Sequence, residues 1–335
     1  MTIKDLAAKT GYSVGTVSRV LNNHPHASKK AREVILKAVQ DSGFQLNENA
    51  RQLKQQHATT ILVVVKGTSN ELFAELLQAI QVRVDQTGYP LIVDYLDEDE
   101  NEVLRGVQLC REKKPLGILF LGGNTCNFQK DFDKIDIPCV LVTNDAGHQE
   151  FPNLSSVTTD DRQAAKAAID ALVGLGHRQF AVVGGDLQVS DTSQLRYAGC
   201  LDSFREHSIA FDEKLDYQGV RYSYESGYQA TQRLLESGRK FTALFAAADV
   251  MAIGAIRALR DAGLQVPQDV SVIGFDGLPI SKYLVPQLST VEQSVEIMAK
   301  RSVEILLSCI EKGGSPVQET AAFRVHLRES TCAIK

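Results

Sequence analysis

The sequence predicts an all-helical N-terminal headpiece followed by a larger α/β core of two doubly wound parallel-sheet lobes. The chain has 335 residues, which is more than one hydrophobic core usually serves. Residues 1–44 contain three short amphipathic patterns of helical spacing, and apolar runs alternate with amphipathic segments of helix length from residue 60 onward. Continuous apolar strands separated by helices are typical of parallel sheets that are covered on both faces.

The N-terminal pattern indicates two helices joined by a tight turn, with a third helix behind them. The first helix ends at Gly11, a residue suited to the left-handed position after a helix. Ser13 can cap the second helix, and the third runs from about Ser28 to Ser42. Short helices joined by a glycine-containing turn predict a helix-turn-helix unit.

The sequence divides into three predicted segments: the headpiece at 1–44, a hinge at 45–58 and the core at 59–335. The hinge is nearly all polar, so we expect it to be helical only conditionally. A polar stretch near 155–165 stands in place of a strand and predicts that the chain crosses there into the second lobe. Core strands are predicted at 61–65, 91–96, 117–121, 139–142, 179–184, 243–248 and 270–275. Helices are predicted between them, for example at 71–87, 161–175, 194–207, 224–237, 249–262 and 294–311.

Charge is distributed unevenly along the chain. Residues 1–58 carry nine Lys and Arg against four acids, a net charge of +5, whereas the whole chain carries −5. A basic unit attached to an acidic body is the electrostatic footprint of a polyanion-binding module. The sequence has neither an apolar run long enough to span a membrane nor a secretory signal, so we expect a cytoplasmic location and no membrane partner.

No metal site, cofactor or catalytic centre is predicted. The six cysteines have no CxxC pair or framework spacing. Nucleotide-phosphate loops, the nucleophile elbow and paired-histidine motifs do not occur, and the histidines do not cluster with a candidate nucleophile. These patterns disfavour an enzyme.

Polar residues directly follow several predicted strands, which is where clefts form in doubly wound proteins. Asp249 and Asp276 each follow an apolar run, and Arg196 lies on a helix after a polar loop. Phe73 and Tyr222 stand at strand-to-helix connections that reach the same rim. Carboxylates and amides with few cations favour a neutral, polyhydroxylated ligand. Each of these residues also has an alternative role that does not involve a ligand. The aspartates could cap helices, the arginine could form a surface ion pair, and the aromatic side chains could pack in the core.

Several motifs resemble those of one known family, the LacI/GalR transcriptional regulators. The family's headpiece pattern, T-I-x-D-[VIL]-A-x-x-A-G-V-S-x-x-T-V-S-R-V-L-N, is similar to residues 2–22, TIKDLAAKTGYSVGTVSRVLN. Its hinge pattern is similar to SGFQLNENARQL at 42–53, and its C-terminal signature to ALFAAADVMAIGAIRALRDAGLQVPQDVSVIGFDGLP at 243–279. GHRQFAVVGG at 176–185 and ESGYQA at 225–230 also fit, so the resemblance extends over essentially the whole chain.

The resemblance implies a homodimeric, repressor-type regulator with a core similar to periplasmic sugar-binding proteins. The implied partners are a double-stranded, pseudo-palindromic operator and a small-molecule effector of the carbohydrate type, bound between the lobes. The positions that match the family's DNA contacts are Val14, Gly15, Thr16, Ser18, Arg19, Asn22, Ala50, Arg51 and Leu53, with Leu53 as the minor-groove wedge. The positions that match the effector pocket are Phe73, Thr192, Arg196, Tyr222, Asp249 and Asp276.

The sequence also departs from the family pattern. Gly15 replaces the commoner Ala or polar residue, which predicts weak or altered reading of one base pair. Phe44 and Leu46 replace the usual Tyr and Pro of the hinge and predict a looser hinge entry. Ala248 stands where Asn usually precedes Asp249, so one amide contact to the effector is lost, which weakens the usual assignment to a sugar.

Two other classes of protein share the predicted core. A transport-type sugar-binding protein would need a signal peptide and would have no use for residues 1–58. A sugar-modifying enzyme could use the cleft carboxylates, but the sequence offers no recognisable nucleophile or nucleotide loop. The regulator is the interpretation that accounts for both the basic headpiece and the acidic core.

Overall fold

The chain forms two compact units, Met1–Ala58 and Thr59–Lys335. The computed structural model describes residues 3–21, 28–42, 59–67, 70–146 and 151–334. The predicted hinge at 45–58 lies outside these residues, and so do Asn22, Ala50, Arg51 and Leu53. Within the described ranges, no helix has the length and apolar character needed to cross a bilayer.

The headpiece contains the predicted helix-turn-helix and a third helix. The helices are α1 (Ile3–Thr10), α2 (Val14–Leu21) and α3 (Lys29–Ser42). Gly11 follows α1 with φ +73°, and the Ser13 hydroxyl accepts a hydrogen bond from Thr16 N at 3.2 Å, as expected of a helix cap. A small core is formed by Leu6, Ala7, Val17, Val20, Ala31 and Ile35.

The first lobe of the core is a six-stranded parallel sheet with helices on both faces. Its strands are β1 (Ile61–Lys66), β2 (Leu91–Leu96), β3 (Gly117–Leu121), β4 (Cys139–Val142), β5 (Leu154–Thr159) and β11 (Gln318–Ala321), in the spatial order β11-β5-β4-β3-β1-β2. Its helices are α4 (Glu71–Asp85), α5 (Glu102–Lys113), α6 (Thr125–Asp131) and α12 (Val295–Lys312).

The second lobe repeats this architecture with one antiparallel edge strand. Its strands are β6 (Phe180–Gly184), β7 (Tyr217–Gly219), β8 (Ala243–Ala246), β9 (Ser271–Asp276), β10 (Ser289–Gln293) and β12 (Phe323–His326), in the order β12-β10-β9-β8-β6-β7. The last strand, β12, runs antiparallel to β10. Its helices are α7 (Asp161–Gly174), α8 (Asp191–Glu206), α9 (Glu213–Asp216), α10 (Tyr224–Glu236) and α11 (Asp249–Asp261).

The chain crosses between the lobes after β5, after β10 and between β11 and β12. The first two crossings follow the carboxyl ends of sheet strands. Because ligands bind outside the carboxyl ends of parallel strands, this topology brings the two binding edges together at one cleft. The predicted fold class, a helix-turn-helix headpiece with two doubly wound lobes, is confirmed.

One element differs from the prediction. The polar stretch that was expected to replace a strand is β5, and all six of its residues are buried. Its hydroxyl groups have partners: Thr158 Oγ1 donates to Thr143 O at 2.9 Å, and Ser155 Oγ accepts from Val317 N at 3.1 Å. A polar strand is tolerated in a buried sheet when each hydroxyl is hydrogen-bonded. The crossing into the second lobe follows directly after this strand.

Candidate functional site

Helix α2 presents the predicted reading surface of the headpiece. Val14, Gly15 and Arg19 are exposed, and Thr16 and Ser18 are half-buried. Arg19 Nε donates to the carbonyl of Gly15 at 3.2 Å, so the guanidinium lies along the glycine surface of its own helix. Helix α2 therefore carries one exposed cation beside a surface that has no side chain at Gly15.

A cavity of about 750 Å³ lies between the two lobes of the core. Both walls are built from residues at or just beyond the carboxyl ends of strands, including Lys66, Gly122 and Asn144 in the first lobe. The predicted effector residues that line it are Phe73, Thr192, Arg196, Tyr222 and Asp276. Five of the six predicted positions are therefore brought together.

Arg196 forms a buried ion pair in the second-lobe wall. Its Nε donates to Asp161 Oδ1 at 2.7 Å, and its Nη1 donates to Ala247 O at 2.5 Å. The guanidinium carbon lies 3.7 Å from the centre of the Phe275 ring. The alternative of a surface ion pair is wrong, because Arg196 is only 5% exposed and its position is fixed on three sides.

Asp276 is a buried carboxylate in the second-lobe wall of the cavity. It is the last residue of β9, has φ +121° and lies with Oδ1 3.9 Å from Arg196 Nη1. Gln293 Nε2 donates to the same oxygen at 2.9 Å. Burial raises the pKa of Asp276 to about 7, although Arg196 and Gln293 both favour its charged form.

Asp249 is placed differently from the prediction. It does not line the cavity: its side chain is fully buried behind the wall. Its two oxygens accept from Thr290 Oγ1 at 2.5 Å and from Leu278 N at 2.7 Å. The prediction that Asp249 contacts the effector is therefore wrong in this structure, because one oxygen holds the segment after β9 and the other holds β10. Burial, followed by the nearby charge of Asp276, raises the pKa of Asp249 well above its usual value.

The two aromatic residues cover glycines in opposite walls. A Cβ atom on Gly122 would lie 2.8 Å from the ring of Phe73, and one on Gly185 would lie 2.7 Å from the ring of Tyr222. The Tyr222 hydroxyl lies 2.5 Å from Ser193 Oγ. Each ring thus packs against its own lobe and also borders the cavity, so packing and ligand contact are compatible roles for both.

The sequence interpretation missed a cation in the first-lobe wall. Lys66, the last residue of β1, lines the cavity, and its Nζ lies 2.5 Å from Glu102 Oε2. The fully buried carboxylate of Glu102 also accepts from Asn124 N at 2.7 Å and from Asn127 Nδ2 at 3.1 Å. The rule that polar residues follow strands would have found Lys66, because it directly follows the run ILVVV.

The mouth of the cavity is bridged by contacts between the lobes. Arg221, in the second lobe, pairs with Asp97, Glu98 and Asp99 of the first lobe, with 2.7 Å from its Nε to Glu98 Oε1. Elsewhere on the rim, Asn124 Nδ2 donates to the carbonyl of Val189 at 2.9 Å, Thr125 N donates to Asp191 Oδ2 at 2.7 Å, and the Tyr224 hydroxyl bonds Glu71. Arg221 and its acidic partners were also missed, although Asp97 directly follows the predicted strand 91–96 and the same rule would have found it.

Both parts of the chain match known protein families. Residues 2–47 match the model of bacterial regulatory proteins of the lacI family, and residues 169–331 match a periplasmic binding protein-like domain. The chain is 37% identical over 319 residues to the HTH-type transcriptional regulator MalR of Clostridium butyricum, with 94% of each chain covered.

Solved structures agree over the full length. The lac repressor dimer bound to operator and the anti-inducer ONPF superposes with a TM-score of 0.84 at 26% identity, covering 99% of both chains. The complex of the transcriptional regulator CelR with cellobiose has a TM-score of 0.73 at 25% identity, covering 98% of this chain and 99% of that one.

A helix-turn-helix headpiece joined to a two-lobed effector-binding core defines a class of DNA-binding transcriptional regulators. The chain belongs to the LacI family of that class. The relatives found are regulators, so the two rival classes, transport protein and sugar-modifying enzyme, are set aside.

Proposed function

We propose that this protein is a cytoplasmic, homodimeric repressor whose affinity for a pseudo-palindromic operator is controlled by a carbohydrate bound between the core lobes. The single observation that carries the effector half of the proposal is the cavity itself. It brings Arg196 and Asp276 together with one aromatic ring from each lobe, Phe73 and Tyr222. Polar groups that fix orientation, set among aromatic faces, are typical of small-molecule sites.

The cavity chemistry suits a ligand rich in hydroxyl groups. The Asp276 carboxylate can accept hydrogen bonds from hydroxyls, and the Thr192 and Tyr222 hydroxyls can both donate and accept. The rings of Phe73 and Tyr222 offer flat apolar surfaces to the faces of a sugar ring. A structural relative was solved with cellobiose, which supports a carbohydrate for this chain as well.

The DNA half of the proposal rests on the headpiece. Arg19 is the cation that α2 exposes, so we assign it to a base edge or phosphate in the major groove, with Val14, Gly15, Thr16 and Ser18 around it. We assign Asn22 to the same surface, and Ala50, Arg51 and Leu53 to a hinge that enters the minor groove. A headpiece of this size buries little surface, so two copies on a two-fold axis are needed for a strong site.

A reciprocal pair of variants tests both halves. In the full chain, Arg19→Ala is expected to weaken operator binding by about 5- to 150-fold while sugar binding stays intact. Asp276→Ala is expected to abolish sugar binding while the ligand-free protein still binds the operator. The operator is first selected from random duplex DNA by the protein itself, and sugar binding is screened by thermal shift. If Asp276→Ala retains wild-type sugar affinity, the cavity is not the effector site.

A further inference from the structure

The volume of the cavity bears on the size of the ligand. Its 750 Å³ correspond to about 25 water-sized volumes at roughly 30 Å³ each. A bonded non-hydrogen atom takes about half of a free water's volume, so a hexose of about 12 such atoms would fill about a quarter of the space and a disaccharide of about 23 would fill about half. Because protein sites are packed closely around their ligands, a single sugar unit would leave most of the walls without contact, and two units are the smallest ligand that fills about half of the cavity.

This volume is not that of a cleft held wide open. The lobes already touch at the mouth through Arg221 and the acidic segment 97–99. They also touch through the hydrogen bonds from Asn124 to Val189 and from Thr125 to Asp191. The space therefore lies between lobes that are in contact on more than one side.

Charge bears on the class of ligand. Three cations line the cavity among the described residues, and each has a carboxylate partner. Lys66 pairs with Glu102 and Arg196 with Asp161. Arg221 faces three acids at once.

Two further acids of the lining, Asp186 and Asp276, add negative charge to the site. A phosphate or carboxylate ligand would meet cations that are already neutralised, and it would be repelled by the remaining acids.

The Lys66–Glu102 pair determines the charge that Lys66 contributes to the first-lobe wall of the cavity. Glu102 is fully buried and is fixed by Asn124 and Asn127, so it neutralises Lys66 from behind the cavity wall. An ammonium carries three N–H donors, so the one bond to Glu102 leaves others that can reach a ligand oxygen. Lys66 can then serve as a hydrogen-bond donor to a hydroxyl without offering net positive charge.

We propose that the effector is an uncharged carbohydrate of about two sugar units, and that the Lys66–Glu102 pair makes the site reject sugar phosphates and sugar acids. The proposal rests on the function proposed above and narrows its ligand class. It assigns Lys66 as a specificity-determining contact in the first-lobe wall, opposite Asp276.

Calorimetric titration of the full chain tests the ligand class. The panel contains glucose and glucose 6-phosphate, gluco- and galacto-configured disaccharides, and the phosphate and aldonic acid of whichever disaccharide binds best. The expected result is that one disaccharide binds and that glucose and the charged derivatives bind at least about 30-fold more weakly. Equal or tighter binding of a single sugar or a charged derivative overturns the proposal, and so does a panel in which no disaccharide binds.

A charge-balance variant tests the role of the pair. Glu102→Gln leaves Lys66 without its neutralising partner, so the ratio of charged-sugar to neutral-sugar affinity should rise at least about tenfold. Because a buried substitution can impair folding, Asp97→Asn/Glu98→Gln/Asp99→Asn supplies a second variant that removes all three acidic partners of Arg221 at the exposed mouth and should shift the ratio in the same direction. Glu112→Gln, on the same helix as Glu102 but outside the lining, is the matched control. An unchanged ratio in both charge variants overturns the charge argument.

Operator binding measured alongside separates this inference from the proposed function. If a monosaccharide or a sugar phosphate alters operator affinity, the inference fails and the regulator remains. If a disaccharide binds as expected but leaves operator affinity unchanged, the ligand class stands and the proposed control of DNA binding fails.

Discussion

Asp276 combines burial with a backbone conformation that few L-residues adopt. Its φ of +121° lies in a region that favours glycine, and its carboxylate faces Arg196 while Asp161 and Asp249 lie close by. Strain of this kind persists only where the surroundings fix the residue, and it clusters at functional sites. This backbone strain supports the proposed role of Asp276 as a ligand contact.

Ligand affinity should depend on pH through Asp276. Burial raises the pKa of Asp276 to about 7, so the carboxyl group is largely protonated at pH 6 and largely charged at pH 8. A ligand whose hydroxyls donate to the carboxylate must displace that proton, so affinity rises with pH by about tenfold across this window and then levels off. Calorimetry at pH 6, 7 and 8 measures this effect. Asp276→Asn should bind weakly at every pH, and a flat profile in the wild type would refute the assignment.

Loss of one partner of the buried Arg196–Asp161 pair should lower stability more than loss of both partners. Arg196→Met leaves the buried carboxylate of Asp161 without its cation, which should lower the free energy of unfolding by about 3–5 kcal/mol. The double variant Asp161→Asn/Arg196→Met removes both charges and should recover much of that loss. Urea unfolding of the three proteins is the measurement, and a single variant as stable as the wild type would contradict it.

Residue positions were predictable from the sequence, but their orientation was not. The rule that clefts form after strands, together with the family motifs, located Phe73, Tyr222 and Asp276 correctly at the cavity. The same rule gave Asp249, whose side chain turns inward because Thr290 and the backbone of Leu278 hold its oxygens. Such partners lie some 30 to 40 residues away in sequence, and no local pattern reveals them.

At the scale of elements, strands were recognised by apolar runs, so all seven predicted strands are present in the core. Five strands were missed. Two of them, β5 and β10, are rich in polar residues. The other three, β7, β11 and β12, are only three or four residues long. Their pairing comes from neighbours in the sheet, and sequence periodicity carries little information about it.

Gln293 links the cavity to both crossings that follow sheet strands. It is the last residue of β10, and its amide donates to Asp276 while its Oε1 accepts from Thr159 Oγ1 at 2.9 Å. Thr159 is the last residue of β5, immediately before the first crossing. The Gln293 amide thus connects the Asp276 carboxylate in the cavity to the two segments about which the lobes would rotate.

Gln293→Leu should therefore uncouple ligand from DNA. The ligand should still bind, whereas its effect on operator affinity should fall from the usual coupling of about 1–3 kcal/mol towards zero. Thr159→Val removes only the hydrogen bond from Thr159 to Gln293, so it should reduce the coupling by less than Gln293→Leu does. Operator affinity with and without saturating ligand is the measurement, and undiminished coupling in Gln293→Leu would exclude this route.

At the scale of the whole molecule, charge separates the two binding functions. The N-terminal 58 residues carry +5 and the remainder carries −10. Operator affinity should therefore fall by at least about 100-fold between roughly 50 and 200 mM salt, because counterions are released from the phosphates. Binding of an uncharged sugar to the core should hardly change over the same range. Both titrations on one preparation provide the comparison, and operator binding that is insensitive to salt would contradict the headpiece assignment.

In the proposed function, occupancy of the cavity between the lobes sets the affinity of the headpieces for DNA. The most direct test measures the fluorescence anisotropy of a labelled operator, selected by the protein from random duplex DNA, as the full chain is added. The titration is run with and without a sugar that calorimetry has shown to bind. The wild type should show a Kd that changes at least about fivefold at saturating sugar, and Asp276→Ala should show no change. An operator Kd that stays constant in the wild type while the cavity is occupied would show that the sugar does not control DNA binding.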